Sequence, residues 1–442
     1  MIGKSYNRKK FRTEKLETLT AARRSSLIKR GRAGQTKTES SVRAILDDVA
    51  ERGDSALKEF ALRFDGALLE SLEVPRERWI EALDSIDCEL VAAMKRAIRN
   101  IESVQRASLP VPITVSPEAG IIITRQPIAL GRVGVYAPGG RATYPSSVLM
   151  GVVPARVAGV GEVVLCSPPG ADGAPAAVVL AAAELAGVDR VFAVGGAGAV
   201  GAMAYGTETI PPVDRIVGPG NAYVAAAKLQ VASSVGIDSP AGPSELLVIA
   251  DATTNAEVIA LEILAQAEHD PEAVVIVIAI GEEVAQAIME RVRTALPTQE
   301  RRDTIQTALT ARGAFLWTLD VGSAVDFSND FAAEHLLLAV EDAASLLPRL
   351  RTAGTIFVGE SSSVAFGDYM TGANHVLPTG GLARSYSGLS VLDFVRFVTY
   401  QQVDLVAATS LAADVGTFAD AEGLYAHAAT ARQWGTGKWS RS

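Results

Sequence analysis

Apolar residues recur at two periods along this 442-residue chain, and the alternation between them outlines an α/β protein. Residues 34–108 carry the helical period. The run Thr38-Glu-Ser-Ser-Val-Arg-Ala-Ile-Leu-Asp-Asp-Val49 puts its apolar positions on one face after a polar start. Pro110 and Pro112 close that region, and Ile121–Thr124 and Gly131–Tyr136 then read as strands. From Tyr136 to about Pro240, short β runs alternate with Ala-rich helical runs. Val163–Cys166, Arg190–Val194 and Arg215–Val217 are the strands; Val148–Ala158, Ala176–Ala186 and Ala197–Tyr205 are the helices, with Pro175 suited to the first turn of the second. The theme repeats with strand Leu246–Ala250, helix Thr254–His269, buried strand Ala273–Ile280 and helix Glu282–Ala295, and Leu336–Val340 adds a further strand. Thr254-x-x-Glu257 reads as a capping box.

Such alternation implies parallel βαβ units with helices on both faces. The fold class expected is α/β, with two doubly wound, incomplete Rossmann-like lobes, a helical N-terminal arm and a C-terminal helical tail. The boundaries expected are a basic arm over 1–33, a first lobe from 34–134 plus 246–388, a second lobe over 135–245, and a tail over 389–442. A cleft between lobes, at the carboxyl ends of strands, is where a ligand is expected.

Charge sharpens this picture. The net charge is −9, yet residues 1–32 alone carry +9, so the remaining 410 residues carry −18. An acidic body argues against a nucleic-acid partner. The basic start reads as a solvated, partly helical arm. Glu14 and Glu17 interrupt an organelle transit pattern, and Lys29-Arg30 stand where a twin-arginine signal at Arg23-Arg24 needs an apolar stretch. No run approaches the ~18 apolar residues of a membrane span. Two cysteines, Cys88 and Cys166, make no disulfide framework; both read as packing residues in a cytoplasmic protein.

Chemistry concentrates late in the chain. All four histidines lie at or beyond residue 269, each beside acids or amides. Histidine titrates near neutrality and is the commonest metal ligand, so one metal-assisted site built from distant segments is the working hypothesis. Gln266 and His269 fall at i and i+3 near a helix end, able to meet one ion or simply to end the helix in polar residues. Glu334-His335 can supply two proton-transfer groups only at a strand's entry, where the backbone turns; otherwise it is a surface Glu beside a buried His. Phe366–Gly381 reads as a long polar loop, either structural or offering Asp368 to a metal and His375 to a substrate. Glu422-x4-His427, taken alone, is a fraying terminal helix. Ile216-Val-Gly-Pro-Gly-Asn221 and Ala241-Gly-Pro-Ser244-Glu245 expose backbone amides suited to phosphate or carboxylate. The G-x-G-x-x-G at Gly196–Gly201 is explained by close helix packing as well as by a dinucleotide.

Tyr136-Ala-Pro-Gly-Gly, Pro145-Ser-Ser-Val-Leu-Met150, Gly218-Pro-Gly-Asn221, Ala241-Gly-Pro-Ser-Glu245, Gln266-Ala-Glu-His269, Glu334-His335-Leu, Asn374-His375-Val-Leu-Pro-Thr379 and Glu422-Gly-Leu-x-Ala-His427 occur in that order. Together they make residues 40–435 resemble the histidinol dehydrogenase family. The resemblance implies one zinc ion per subunit, held by Gln266, His269, Asp368 and His427. It implies Glu334 and His335 as the catalytic pair. Ser244, His375 and Glu422 would contact substrate, with Gln266, His269, His335, Asp368 and His427 also near it. Tyr136 and Asn221 would contact NAD, and Gly198 stands at a cofactor-contacting position where the family often has Gln. Ala333 replaces a usual Pro. The family is homodimeric, with a C-terminal tail that crosses to the partner, so the tail over 389–442 would serve dimerisation and His427 would complete the other subunit's site.

The activity implied is the last step of histidine biosynthesis: zinc-dependent, NAD-linked, four-electron oxidation of L-histidinol to L-histidine through enclosed L-histidinal. Thr399-Tyr-Gln-Gln402 and Ser385-Tyr386 leave an alternative, a paralogous NAD-dependent dehydrogenase acting on another small alcohol such as a sulfonated diol. A zinc hydrolase and a non-catalytic binding protein are the readings from other classes. No nucleic acid or membrane partner is expected.

Overall fold

A computed structural model describes residues 12–30, 35–139 and 143–437. The chain divides into two compact units, Met1–Ala107 with Leu130–Phe394 and Ser108–Ala129 with Val395–Ser442. The larger unit holds two parallel sheets, each flanked by helices, as the alternating pattern predicts.

The first sheet has five parallel strands in the spatial order Arg190–Ala193, Glu162–Ser167, Arg132–Tyr136, Arg215–Val217, Gly236–Ile237. Continuous apolar runs such as Val163–Cys166 suit it, because parallel strands bury both faces. Chain order reverses between Arg132–Tyr136 and Arg215–Val217, the switch point where ligands settle in doubly wound sheets. The helices from Gln35 to Ala107 share this sheet's core: Val42, Leu46, Val49, Leu57 and Ile101 join one apolar cluster with Val133, Val164 and Phe192. Helix Gly196–Tyr205 meets them closely. A Cβ on Gly198 would lie 3.2 Å from Leu57, and one on Gly201 would lie 3.1 Å from Leu46. The G-x-G-x-x-G spacing thus serves helix-on-helix packing.

The second sheet has six parallel strands in the order Thr13–Lys15, Ala314–Thr318, Val274–Ile280, Glu245–Ala250, His335–Ala339, Thr355–Val358. Its edge strand corrects the expectation of a solvated N-terminal arm. Thr13–Lys15 pairs with Phe315–Trp317, and helix Ala21–Ile28 follows it onto the sheet. Leu16 and Leu27 are the cause: both are buried in the core with Phe327 and Phe331. Arg23 and Arg24 pair with Glu14 and Asp330 while staying partly exposed. Residues 1–11 and 31–33 of the expected arm lie outside the described residues.

Three further expectations need correction. The presumed capping box does not form: Asn255 caps helix Ala256–Ala267, accepting from Glu257 N–H at 3.0 Å, while the Thr254 hydroxyl donates to the Ala339 carbonyl. Cys88 is exposed rather than packed, although Cys166 is buried and its thiol pushed up to about 12 by that burial. The region after 390 is not mostly helical at its start. In the smaller unit, Val395–Val403 forms a nine-residue strand antiparallel to Ile121–Ala129, which in turn pairs with Ile113–Val115. Its β-branched and aromatic content favours a strand, but the partner lies about 270 residues earlier, so no local pattern marks it. Helices Leu405–Ala421 and Tyr425–Trp434 complete the smaller unit. Among the described residues, no helix is long and apolar enough to cross a membrane.

Candidate active site

Adjacent strands of the six-stranded sheet open on Glu245 and His335, in the register that pairs His335 with Leu246. Both residues sit at amino ends of their strands, whereas the doubly wound pattern points to carboxyl ends. Glu334 stands just before its strand, at the turn where two adjacent side chains can act together. The Glu245 peptide holds both of them. Its N–H donates to Glu334 Oε2 at 2.8 Å, and its carbonyl lies 3.1 Å from His335 Nδ1. A carbonyl only accepts, so Nδ1 carries the proton and Nε2 keeps its lone pair. Nε2 is buried without a hydrogen-bond partner, 3.6 Å from Asp368 Oδ1. Glu334 Oε2 lies 3.6 Å from His335 Nδ1, so the two side chains meet after all.

Burial dominates the electrostatics. It raises the Glu334 carboxyl well above the ordinary carboxylate range, against the pull of the Glu245 N–H. It pushes His335 down to about 3 and His375 down to about 4. His269 and His375 add to the depression of His335, which places the three imidazoles in one neighbourhood. Asp368 is pushed up to about 7, first by burial and then by the nearby Glu262 carboxylate.

Asp368 is not in a loop. It lies on the short helix Val364–Tyr369, so the polar segment expected over Phe366–Gly381 is helical at its start. The N-cap Ser363 makes no side-chain cap, and Glu262 supplies one from another helix, accepting from Val364 N–H at 3.1 Å. Glu262, Gln266 and His269 follow at i, i+4 and i+7, one face of Ala256–Ala267 and its continuation. Gln266 is buried; His269 is partly buried, just past the helix end. The following loop ties the site to the other lobe. His375 Nδ1 donates to the Asp368 carbonyl at 2.9 Å, and its Nε2 faces the Ser147 hydroxyl at 3.5 Å. Asn374 donates to the Met150 carbonyl on the same helix, Pro145–Ala158.

The larger unit thus gathers Glu334, His335, Asp368, His375 and His269, with Gln266 on the same helix face as Glu262. Ser244 is half-buried beside Glu245. Glu422 and His427 belong to the smaller unit, where both are exposed. Among the described residues, no three His, Cys, Asp or Glu side chains stand in ready-made metal geometry. The donors of the larger unit nevertheless suit a cation. The Asp368 carboxyl, raised by burial, and the His269 imidazole, which burial keeps neutral, are groups whose burial a divalent ion would offset.

A second cluster marks the carboxyl edge of the five-stranded sheet, at its switch point. Tyr136 ends one strand there, buried, its hydroxyl accepting from Gly196 N–H at 3.1 Å. Asn221 follows the neighbouring strand and caps helix Ala222–Val231 through Tyr223 N–H and Val224 N–H. Gly218 between them has φ +118°, and a Cβ there would overlap the Tyr136 carbonyl. A buried Lys228–Asp238 ion pair pins that turn: Lys228 donates to the Gly218 carbonyl, and Gly218 N–H donates to Asp238. Gly198, on Gly196–Tyr205, faces Leu57 and Phe60.

Two contributors escape the sequence reading, Glu262 and Arg30, whereas the Glu245 peptide lies in the segment 241–245, whose amides were expected to meet a carboxylate. Only Glu262 leaves a local signal, its helical spacing from Gln266 and His269.

Fold and site define an α/β protein of two parallel-sheet lobes with a buried carboxylate–imidazole centre next to their junction. Comparison with known proteins narrows the class. The protein-family model described as histidinol dehydrogenase matches residues 28–433. The chain is 43% identical over 420 residues to the histidinol dehydrogenase of Methanosarcina mazei, covering 95% of this chain and 96% of that one. It is 46% identical over 419 residues to that of Halobacterium salinarum, covering 94% and 97%. The crystal structure of histidinol dehydrogenase from Elizabethkingia anophelis is similar at 34% identity and a TM-score of 0.90, covering 94% of this chain and 96% of that one. The chain belongs to the histidinol dehydrogenase family, and so to the oxidoreductases.

Proposed function

We propose that the protein oxidises L-histidinol to L-histidine in two NAD-linked hydride transfers, through an L-histidinal that stays enclosed, as the last step of histidine biosynthesis. One observation carries the reading beyond family membership: the Glu245 peptide fixes Glu334 and the Nδ1–H tautomer of His335, leaving a buried, unpartnered Nε2.

His335 Nε2 is the base for the hydroxyl proton. Burial favours its neutral form, which leaves the lone pair free to accept that proton. The imidazolium formed once that proton is taken would have a carboxyl group 3.6 Å from each ring nitrogen, Glu334 and Asp368. Glu334 serves the second half-reaction. It takes a proton from water as the oxygen attacks the aldehyde carbon, and the resulting hydrate gives up the second hydride. A carboxyl raised well above the ordinary carboxylate range by burial suits that exchange. The balance is one alcohol, one water and two NAD giving one carboxylate, two NADH and three protons.

Gln266, His269 and Asp368 would hold a zinc ion, completed by His427. The ion would supply a positive template for the imidazole and amine of the substrate. Ser244, His375 and Glu422 would contact that substrate. Tyr136 and Asn221, at the switch point of the five-stranded sheet, would line the dinucleotide site, with Gly198 on the adjoining helix. A homodimer would bring Glu422 and His427 to the partner's site. The apolar surface of the smaller unit supports this, with Val406 80%, Phe418 75% and Tyr425 73% exposed. Two free cysteines fit a reducing cytoplasm.

Incubating the protein with NAD and zinc, and with L-histidinol or a sulfonated diol in turn, tests the substrate. NADH formation with histidinol is expected. Turnover of the diol alone would overturn the assignment.

A further inference from the structure

Arg30 lies far from the expected chemistry in sequence, at the end of the N-terminal segment, yet its side chain is only 5% exposed. Its guanidinium makes a two-pronged ion pair with the Glu245 carboxylate, Nε to Oε1 at 2.5 Å and Nη2 to Oε2 at 2.8 Å. Glu245 is equally buried, at 3%. Nη1 donates to the Phe331 carbonyl at 2.8 Å, Nη2 reaches toward the Ala332 carbonyl at 3.4 Å, and the fork lies over the Phe331 ring, 3.6 Å from its centroid. Phe331 ends helix Val321–Phe331, and Ala332 follows at φ 51°, the only described non-glycine residue with positive φ. That strained turn leads directly into Glu334 and His335. The other side of Glu245 is occupied as well: Oε1 accepts from Gly380 N–H at 2.9 Å, at the end of the loop that carries His375.

We infer that Arg30 is a positioning residue: by clamping the Glu245 side chain to the Phe331–Ala332 turn, it sets the Glu245 peptide that orients Glu334 and His335. This rests on the reading of Glu334 and His335 as the catalytic pair. From more than 200 residues away in sequence, Arg30 joins two segments about 90 residues apart, one supplying the peptide that holds the pair and the other supplying the pair itself. A buried ion pair adds little net stability over apolar side chains of similar size, so stability alone gives no reason to keep it. Geometry does. The planar fork reaches a carboxylate and a carbonyl at once, which a lysine ammonium cannot reproduce.

The test separates positioning from stability. Arg30→Lys, and the double variant Arg30→Met with Glu245→Met, are compared with the wild type for thermal midpoint, kcat and KM on L-histidinol. Arg30→Lys is expected to lower kcat about tenfold with KM little changed, since Arg30 touches no substrate. The double variant is expected to regain a midpoint near the wild type's while kcat stays down about 100-fold. Wild-type kcat in Arg30→Lys, or kcat recovering together with the midpoint in the double variant, would overturn the inference. If the double variant fails to fold, Arg30→Lys decides by itself. Wild-type turnover in the same assay stands apart: without it, the histidinol reading fails, whatever Arg30 does.

Discussion

Glu334 and His335 are adjacent in sequence, and at the residue scale their usefulness depends on a third residue's backbone. The pair is legible in the sequence as an acid beside a base. Its geometry is not, because the Glu245 peptide arrives by strand pairing from about 90 residues away. The tautomer follows from that contact, and with it the division of labour. Glu334→Gln keeps the oxygen that accepts from the Glu245 N–H but cannot take a proton. It should slow oxidation of L-histidinal more than oxidation of L-histidinol; equal losses, with each substrate measured separately, would contradict the assignment. The sign of the pH dependence follows as well. In the proposed role Glu334 would lose its base function when protonated, and burial raises the pH at which that happens. Aldehyde oxidation should therefore fall as pH drops through a midpoint above the ordinary carboxylate range. That limb should vanish from the profile of the Gln variant.

Elements show where local reading works and where it stops. The parallel strands were predictable from continuous apolar runs, because burial on both faces removes any need for polar alternation. The edge strand Thr13–Lys15 was hidden by the basic residues around it, and only Leu16 and Leu27 tie the segment to the core. Strand Val395–Val403 was hidden by its distant partner. Helix Val364–Tyr369 is six residues long, too short for a periodic signal, and it depends on Glu262 for its cap. That dependence sets where Asp368 stands relative to Gln266 and His269. Glu262→Ala should weaken zinc binding by roughly 10- to 100-fold, the range seen when the outer partners of metal ligands are removed. Glu262→Gln, which keeps an acceptor for Val364 N–H, should lose less. Competition with a chromophoric chelator reads both affinities, and an unchanged value in the Ala variant would sink this role for Glu262.

At the scale of the whole molecule, the two sheets present opposite edges. The five-stranded sheet offers the carboxyl ends of Arg132–Tyr136 and Arg215–Val217, with Tyr136 and Asn221 at a switch point. The six-stranded sheet offers the amino ends of Glu245–Ala250 and His335–Ala339. The segment from Asp368, on its short helix, through His375 to Gly380 ties that amino edge to helix Pro145–Ala158 of the other lobe. Glu422 and His427 lie in the smaller unit, and in the proposed function they complete the partner's site. Inactive His335→Ala and His427→Ala proteins, unfolded and refolded together, should regain activity through mixed dimers. No recovery, with mixed dimers shown by mass, would mean that each chain builds its site alone. In the proposed function, one site performs both oxidations. The most direct measurement of this is the yield of NADH per L-histidinol consumed to completion by the zinc-loaded protein. Two NADH with L-histidine as the product is the predicted result; one NADH with free L-histidinal accumulating would contradict it.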